Sequence, residues 1–210
     1  MRSDAEGKRP ADMESWTTLS RDVVLVHAAP GSYAERVLFR ELDEGVRALD
    51  ELTELLALPS DWRPATIDVY LVDVLPSPVS SSAVEGPGPP PRHLPPGCIV
   101  RHVRPDGFSE PLVWPLTRYV VGRCYGEQAA NAGIVVDGIA GVVADRVGSG
   151  RPLSDADRIA YDLLTGEPAS PVEGPSPEAP AGVSQLGGGD EHHVLATSFV
   201  AFLLRSHGPE

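Results

Sequence analysis

The chain has 210 residues, with 30 acidic side chains against 17 basic ones, a formal net charge of −13, and 22 prolines plus 21 glycines. That length holds one ordinary domain with a real core, while the acidic balance argues against nucleic-acid binding, which draws on clustered Lys and Arg to release counterions from phosphates. Anionic membrane surfaces are disfavoured on the same ground, and no stretch reaches the roughly 18 consecutive apolar residues of a spanning helix.

Residues 1–15 are polar and are expected to be disordered, and they lack the apolar segment of a secretory signal, so a cytoplasmic location is expected. From residue 16 to residue 210 the chain reads as a single domain carrying two flexible insertions, at 75–97 and 165–190, both dominated by Pro, Gly and Ser. Cys98 and Cys124 are too few for a disulfide framework and too far apart for a paired-cysteine zinc site, so structural thiols are expected.

Taken in order, Asp22 to His27 is short and β-branched, which predicts a strand ending at the Ala-Pro-Gly turn. Ser32 and Glu35 have capping-box spacing, and Leu38, Leu42, Val46, Leu49, Leu52 and Leu56 recur every three or four residues. The pattern predicts a long amphipathic helix to about Leu58. Thr66 to Asp73 alternates as a strand does, and Cys98 to Val103 is a candidate third strand. Helices are predicted over Leu112 to about Glu127, Ile134 to Val147, and Ser154 to Leu164. Gly138 and Gly141 weaken the second of these. A last helix follows the second insertion, with Leu195, Phe199, Phe202 and Leu203 on one face. The order predicts an α+β fold: a small N-terminal sheet with a long helix, then a mainly helical half.

The run VVLVHAAPGSYAERVLFRELDEGVRALDELTELLAL, followed by TIDVYLVD, resembles the start of peptidase-MA-like domains, the gluzincin-type zinc metallopeptidases. The closing ATSFVAFLLRSHGPE resembles that family's last helix, and the likeness covers most of the chain outside the two insertions. The resemblance implies a zincin-like helical half, with one helix bearing HExxH and another bearing the third zinc ligand. In HExxH the two histidines stand one turn apart and face one metal, and the glutamate activates its water. Aligned on its Leu-Thr pair, the motif falls on Trp114, Pro115, Leu116, Thr117 and Arg118. Trp114 and Arg118 replace the ligands and Pro115 replaces the base; indole offers no lone pair, guanidinium stays protonated, and proline has neither acid nor base.

Eighteen residues lie between Arg118 and Asp137, a spacing like that of the family's third ligand, so the resemblance makes Asp137 the surviving carboxylate. Gly141 stands where a second acidic position is common. With the ligands lost, no cofactor is expected, and Arg118 and Asp137 are expected to face each other as an ion pair across the former metal site. Trp114 is expected to fill the vacated space as core.

Other chemistry is sparse. His192 and His193 are weak metal candidates, because adjacent helical side chains diverge by about 100°; a solvated helix start is the blander expectation. His27, His93, His102 and His207 share no spacing. Ser198 lies in no nucleophile elbow and is expected as a small residue at a helix contact, and Asp155, Asp157 and Asp162 are expected on a solvated helix face. The sequence therefore predicts a catalytically inactive, pseudo-peptidase domain that binds another protein, regulates, or serves as a scaffold. The alternative is a metal-dependent hydrolase with a displaced site of His192, His193 and Asp137. Self-association or a protein partner is expected, since the family likeness ends at Gly208-Pro209-Glu210, where relatives continue into further helices.

Overall fold

The computed structural model describes residues 15–59, 61–74, 97–105, 110–165 and 188–208, with the side chains of 188–190 excepted. Apart from their edges, the three stretches expected to be flexible lie outside the described residues. Four strands, β1 (Thr17–Arg21), β2 (Val24–Ala28), β3 (Ile67–Asp73) and β4 (Ile99–Val103), form one sheet in the order β1-β2-β3-β4. The β1–β2 pair is antiparallel, and β2–β3 and β3–β4 are parallel. Among the described residues six helices complete an α+β fold: α1 (Tyr33–Leu55), α2 (Val113–Tyr125), the short α3 (Glu127–Ala130), α4 (Gly133–Val147), α5 (Leu153–Thr165) and α6 (Gly188–His207). Among the described residues no helix is long and apolar enough to cross a membrane.

Helix α1 is the crossover between parallel β2 and β3, and its start is fixed from two sides. Ser32 is the N-cap and its Oγ accepts from the Glu35 N–H at 3.0 Å. The Asp73 carboxylate, at the end of β3, accepts from the backbone N–H groups of Tyr33 at 2.9 Å and Ala34 at 2.7 Å. Three of the helix's unpaired donors are thereby satisfied, and a carboxylate lies at the positive end of the helix dipole. The buried face of α1, with Leu38, Leu42, Leu49 and Leu52, packs in one core with Val24, Val26, Ile67, Val69 and Leu71 of the sheet. Leu112, Val113, Trp114, Leu116 and Val120 of the α2 region and Ala140, Val143 and Ala144 of α4 join the same core.

Strand β1 has no counterpart in the predicted elements. It joins β2 through the two-residue link Asp22-Val23, with Asp22 in the left-handed region at φ 52°. Asp adopts that conformation through local side-chain hydrogen bonding, but Asp-Val lacks the glycine that usually announces a two-residue hairpin. His27, unassigned in the sequence, ties the strands together. Its Nδ1 lies 2.9 Å from Thr18 Oγ1 on β1, its Nε2 lies 2.9 Å from Asp68 Oδ1 on β3, and its ring stacks on Tyr70.

The face of α6 differs from expectation. Phe199, Phe202 and Leu203 are exposed, and Val194, Ala196, Thr197, Val200 and Ala201 are buried instead. Helix α4 selects this small-residue face. A Cβ added at Gly138 would lie 2.4 Å from the Ala196 carbonyl oxygen, and one added at Gly141 would lie 1.8 Å from Thr197 Oγ1. The two glycines cost helix propensity and in return let α4 and α6 approach closely, which leaves no depth for phenylalanine between them. Ser198 and Asp157, expected respectively as a packing residue and as part of a solvated face, are in fact bonded to each other: Ser198 Oγ donates to Asp157 Oδ1 at 2.6 Å. Arg205 lies 3.1 Å from the other Asp157 oxygen, so α5 and α6 are joined by a polar tie.

Candidate functional site

Helices α2, α4 and α6 bring five of the six singled-out residues into one cluster centred on the Asp137 carboxylate. Asp137 lies in the second turn of α4, is only 4% exposed, and faces α2 and α6. Arg118 Nη2 lies 3.0 Å from its Oδ1, so the expected ion pair is formed. His192 Nε2 lies 3.2 Å from Oδ2, and His193 Nδ1 lies 3.8 Å from the same oxygen. Asp137 is the only buried charge of the group: the Arg118 side chain is 51% exposed and that of His192 is 50% exposed.

The expectation of His192 and His193 as a solvated helix start holds in part, their side chains being 50% and 34% exposed, but it misses their approach to Asp137. Helix α6 begins at Gly188, so both lie within its first two turns and turn back toward α4. Their rings diverge, with centroids 5.9 Å apart and planes at 69°, yet both edges reach the Asp137 carboxylate region. Neighbouring helical side chains can both approach one carboxylate when it projects from a helix packed against theirs, and here His192 alone comes within hydrogen-bonding distance.

Trp114 settles the proton on His193. Its indole Nε1–H lies 3.2 Å from His193 Nδ1, and the rings meet edge to face at 5.7 Å. Indole nitrogen only donates, so Nδ1 supplies the lone pair and the imidazole proton resides on Nε2. His193 Nδ1 cannot then donate to Asp137, and the 3.8 Å separation is beyond a hydrogen bond. Trp114 itself is 9% exposed and belongs to the main core, as expected of it. Pro115 occupies the first turn of α2, where a missing N–H breaks no helical bond.

The start of α2 is positioned by a group the sequence did not single out. Leu112, its N-cap, offers no side-chain hydrogen bond, and the Glu44 carboxylate of α1 accepts from the backbone N–H groups of Leu112 and Val113 instead. Burial, and then the neighbouring Glu41 charge, push the Glu44 carboxyl above its ordinary value, while Arg101 and the two N–H bonds oppose them. Arg101 of β4 grips Glu41 through Nε at 2.5 Å and Nη2 at 3.1 Å, with both side chains buried. One oxygen of Glu44 and Nη1 of Arg101 are buried without a partner. The available signal was a pair of glutamates, Glu41 and Glu44, lying inside the apolar stripe of α1.

Chemically, the Asp137 cluster is a neutralised carboxylate. A guanidinium holds one oxygen and an imidazole the other, and one of the two adjacent imidazoles has its inner nitrogen committed to indole. Among the described residues no group of three His, Cys, Asp or Glu side chains is arranged to hold a metal ion. No family model, no curated protein and no solved structure matches the chain.

Proposed function

We propose that this chain is a non-catalytic domain laid out like a zinc metallopeptidase, in which an ion pair stands where a metal would, and that it works in the cytoplasm as a protein-binding, regulatory or scaffold module. The observation that carries the proposal is the 3.0 Å contact of Arg118 with buried Asp137. A permanent cation on that carboxylate neutralises it and opposes a divalent ion at the same position. Gly141 adds support, because the space beside it is filled by Thr197 and admits no carboxylate-bearing side chain.

The second proposal, a metal-dependent hydrolase with a displaced site, draws on the approach of His192 Nε2 and His193 Nδ1 to one oxygen of Asp137, at 3.2 and 3.8 Å. Donor atoms around a tetrahedral zinc are separated by similar distances, roughly 3.3 Å for ligands about 2.0–2.1 Å from the ion. It requires Arg118 to move away and Trp114 to give up His193.

One experiment separates the two. Metal analysis of the purified protein, alongside a generic peptidase assay, is expected to find zinc far below one equivalent and no hydrolysis above buffer. Stoichiometric zinc that disappears in Asp137→Asn, with a hydrolytic activity lost in His193→Ala, establishes the second function and removes the first.

A further inference from the structure

At the opposite ends of α1 and α2 from their capped N-termini lies a groove that the Asp137 cluster does not touch. It has a volume of about 450 Å3 and is lined by Leu58, Pro59, Trp62, Arg123, Cys124 and Tyr125. That volume lies in the range of small-molecule sites, which are typically apolar with a few polar groups that set orientation. One wall is the turn after α1. Ala57 takes the left-handed conformation at φ 47°, the Leu58 N–H donates to the Thr53 carbonyl at 3.0 Å, and the Trp62 N–H donates to the Pro59 carbonyl at 3.1 Å. The facing wall is the last turn of α2, where Tyr125 Oη donates across to the Leu56 carbonyl at 3.3 Å. One wall is therefore held by backbone hydrogen bonds and the other is tied to it by the Tyr125 hydroxyl.

Among its lining residues the one charged donor is Arg123, while the Tyr125 hydroxyl proton is committed to Leu56. Arg123 belongs to the last turn of α2, where the helix dipole favours a cation. Arg21, Arg47, Arg63, Arg118 and Arg146 each lie on a carboxylate, and Arg123 has no such partner among the described residues. The Trp62 indole N–H is enclosed and has no acceptor, and its ring packs against the main core, which makes it a fixed apolar wall of the groove. The Cys124 thiol is pushed up from its ordinary value by burial, with Arg123 pulling the other way, so the groove contains a neutral thiol and not a thiolate counter-ion. Within a chain whose net charge of −13 works against anions, a guanidinium without an ion-pair partner among the described residues, beside an aromatic and aliphatic surface, supplies the local charge that one kind of small molecule needs.

We propose that this groove binds an apolar carboxylate, with Arg123 on the anionic head and Trp62, Tyr125, Leu58 and Pro59 around the hydrocarbon or aryl body. Guanidinium matches carboxylate with two parallel N–H bonds, and the apolar body covers surface that is otherwise in water.

The probe is 4-phenylbutyrate, with its uncharged relative 4-phenylbutanamide as control, titrated against the full chain by calorimetry and by tryptophan indole NMR. Saturable 1:1 binding of the acid is expected, with the Trp62 indole signal moving and the amide bound at least tenfold more weakly. Arg123→Gln, a surface change that leaves the core intact, is expected to weaken the acid at least tenfold and to erase its advantage over the amide. Trp62→Phe, which keeps the ring body, is expected to weaken both ligands. Absence of saturation at millimolar acid, equal affinity of acid and amide for the unmodified protein, or an unchanged affinity in Arg123→Gln overturns the proposal. Zinc content and peptidase activity have no bearing on these outcomes, so the groove and the Asp137 cluster stand or fall separately.

Discussion

Two arginine–carboxylate pairs in this molecule use the same chemistry to different ends. Arg101 and Glu41 are both buried, two guanidinium nitrogens meet two carboxylate oxygens, and the bond joins β4 to the middle of α1. Arg118 and Asp137 meet through one nitrogen, and half of the arginine remains in water. The first pair is closed to exchange, and removing one member strands a charge in the core. The second retains unused donors and a solvent path, so it can change partner without dismantling the fold. Geometry and burial decide which arginine belongs to the scaffold and which to a site.

The largest expected effect comes from the closed pair. Arg101→Met leaves Glu41 buried beside the Glu44 carboxyl, with the exposed Arg40 as its remaining counter-ion, and urea unfolding is expected to show a loss of about 3–5 kcal/mol. Gly141→Ala comes next. Its Cβ would lie 1.8 Å from Thr197 Oγ1, and overpacking of this kind costs about 1–3 kcal/mol, against a helix-propensity gain of up to ~1 kcal/mol. Combining it with Thr197→Ala should restore part of the loss. Arg118→Gln should cost less than Arg101→Met, about 1–2 kcal/mol, because His192 still bonds Asp137 and water reaches the vacated position. Equal losses for the two arginine variants would erase the distinction between closed and open pairs.

The smallest effect has the opposite sign. Glu44 has its carboxyl raised above the ordinary 4.5 by burial and by Glu41, so the folded chain holds its proton more tightly than the unfolded chain does. Across the pH interval above the ordinary value the folded state binds more protons, and stability falls as pH rises through it. Glu44→Gln keeps an acceptor for the start of α2 and removes that slope. Thermal unfolding at pH 4 and pH 7 should show the variant gaining on the parent protein only at the higher pH, by less than any loss above.

The parts of the fold legible in the sequence were those written in local pattern. The capping pair Ser32–Glu35 and the leucine spacing of α1 are properties of a single helix, and β2, β3 and β4 stand out as short β-branched runs. What escaped depends on a neighbour. The outward Phe199 and Phe202 follow from glycines on another helix, and the hairpin at Asp22 carries no glycine to mark it. The meeting of Arg118 with Asp137 was expected from the resemblance and their interval. The inward turn of His192 and His193 was not, since helical periodicity separates adjacent side chains and says nothing of where a packed helix places its carboxylate. Glu41 and Glu44 were hidden for a related reason: a charge in an apolar stripe is explained only by Arg101, 60 positions away from Glu41.

The seam between α4 and α6 sets an order on sequence change. At position 141 the obstacle is the side chain of Thr197, so a larger residue becomes admissible once α6 has first surrendered atoms there. At position 138 the nearest obstacles include the main-chain carbonyl of Ala196, which no substitution deletes. One glycine is therefore negotiable in two ordered steps, and its neighbour one turn earlier is frozen for as long as the helices keep their distance.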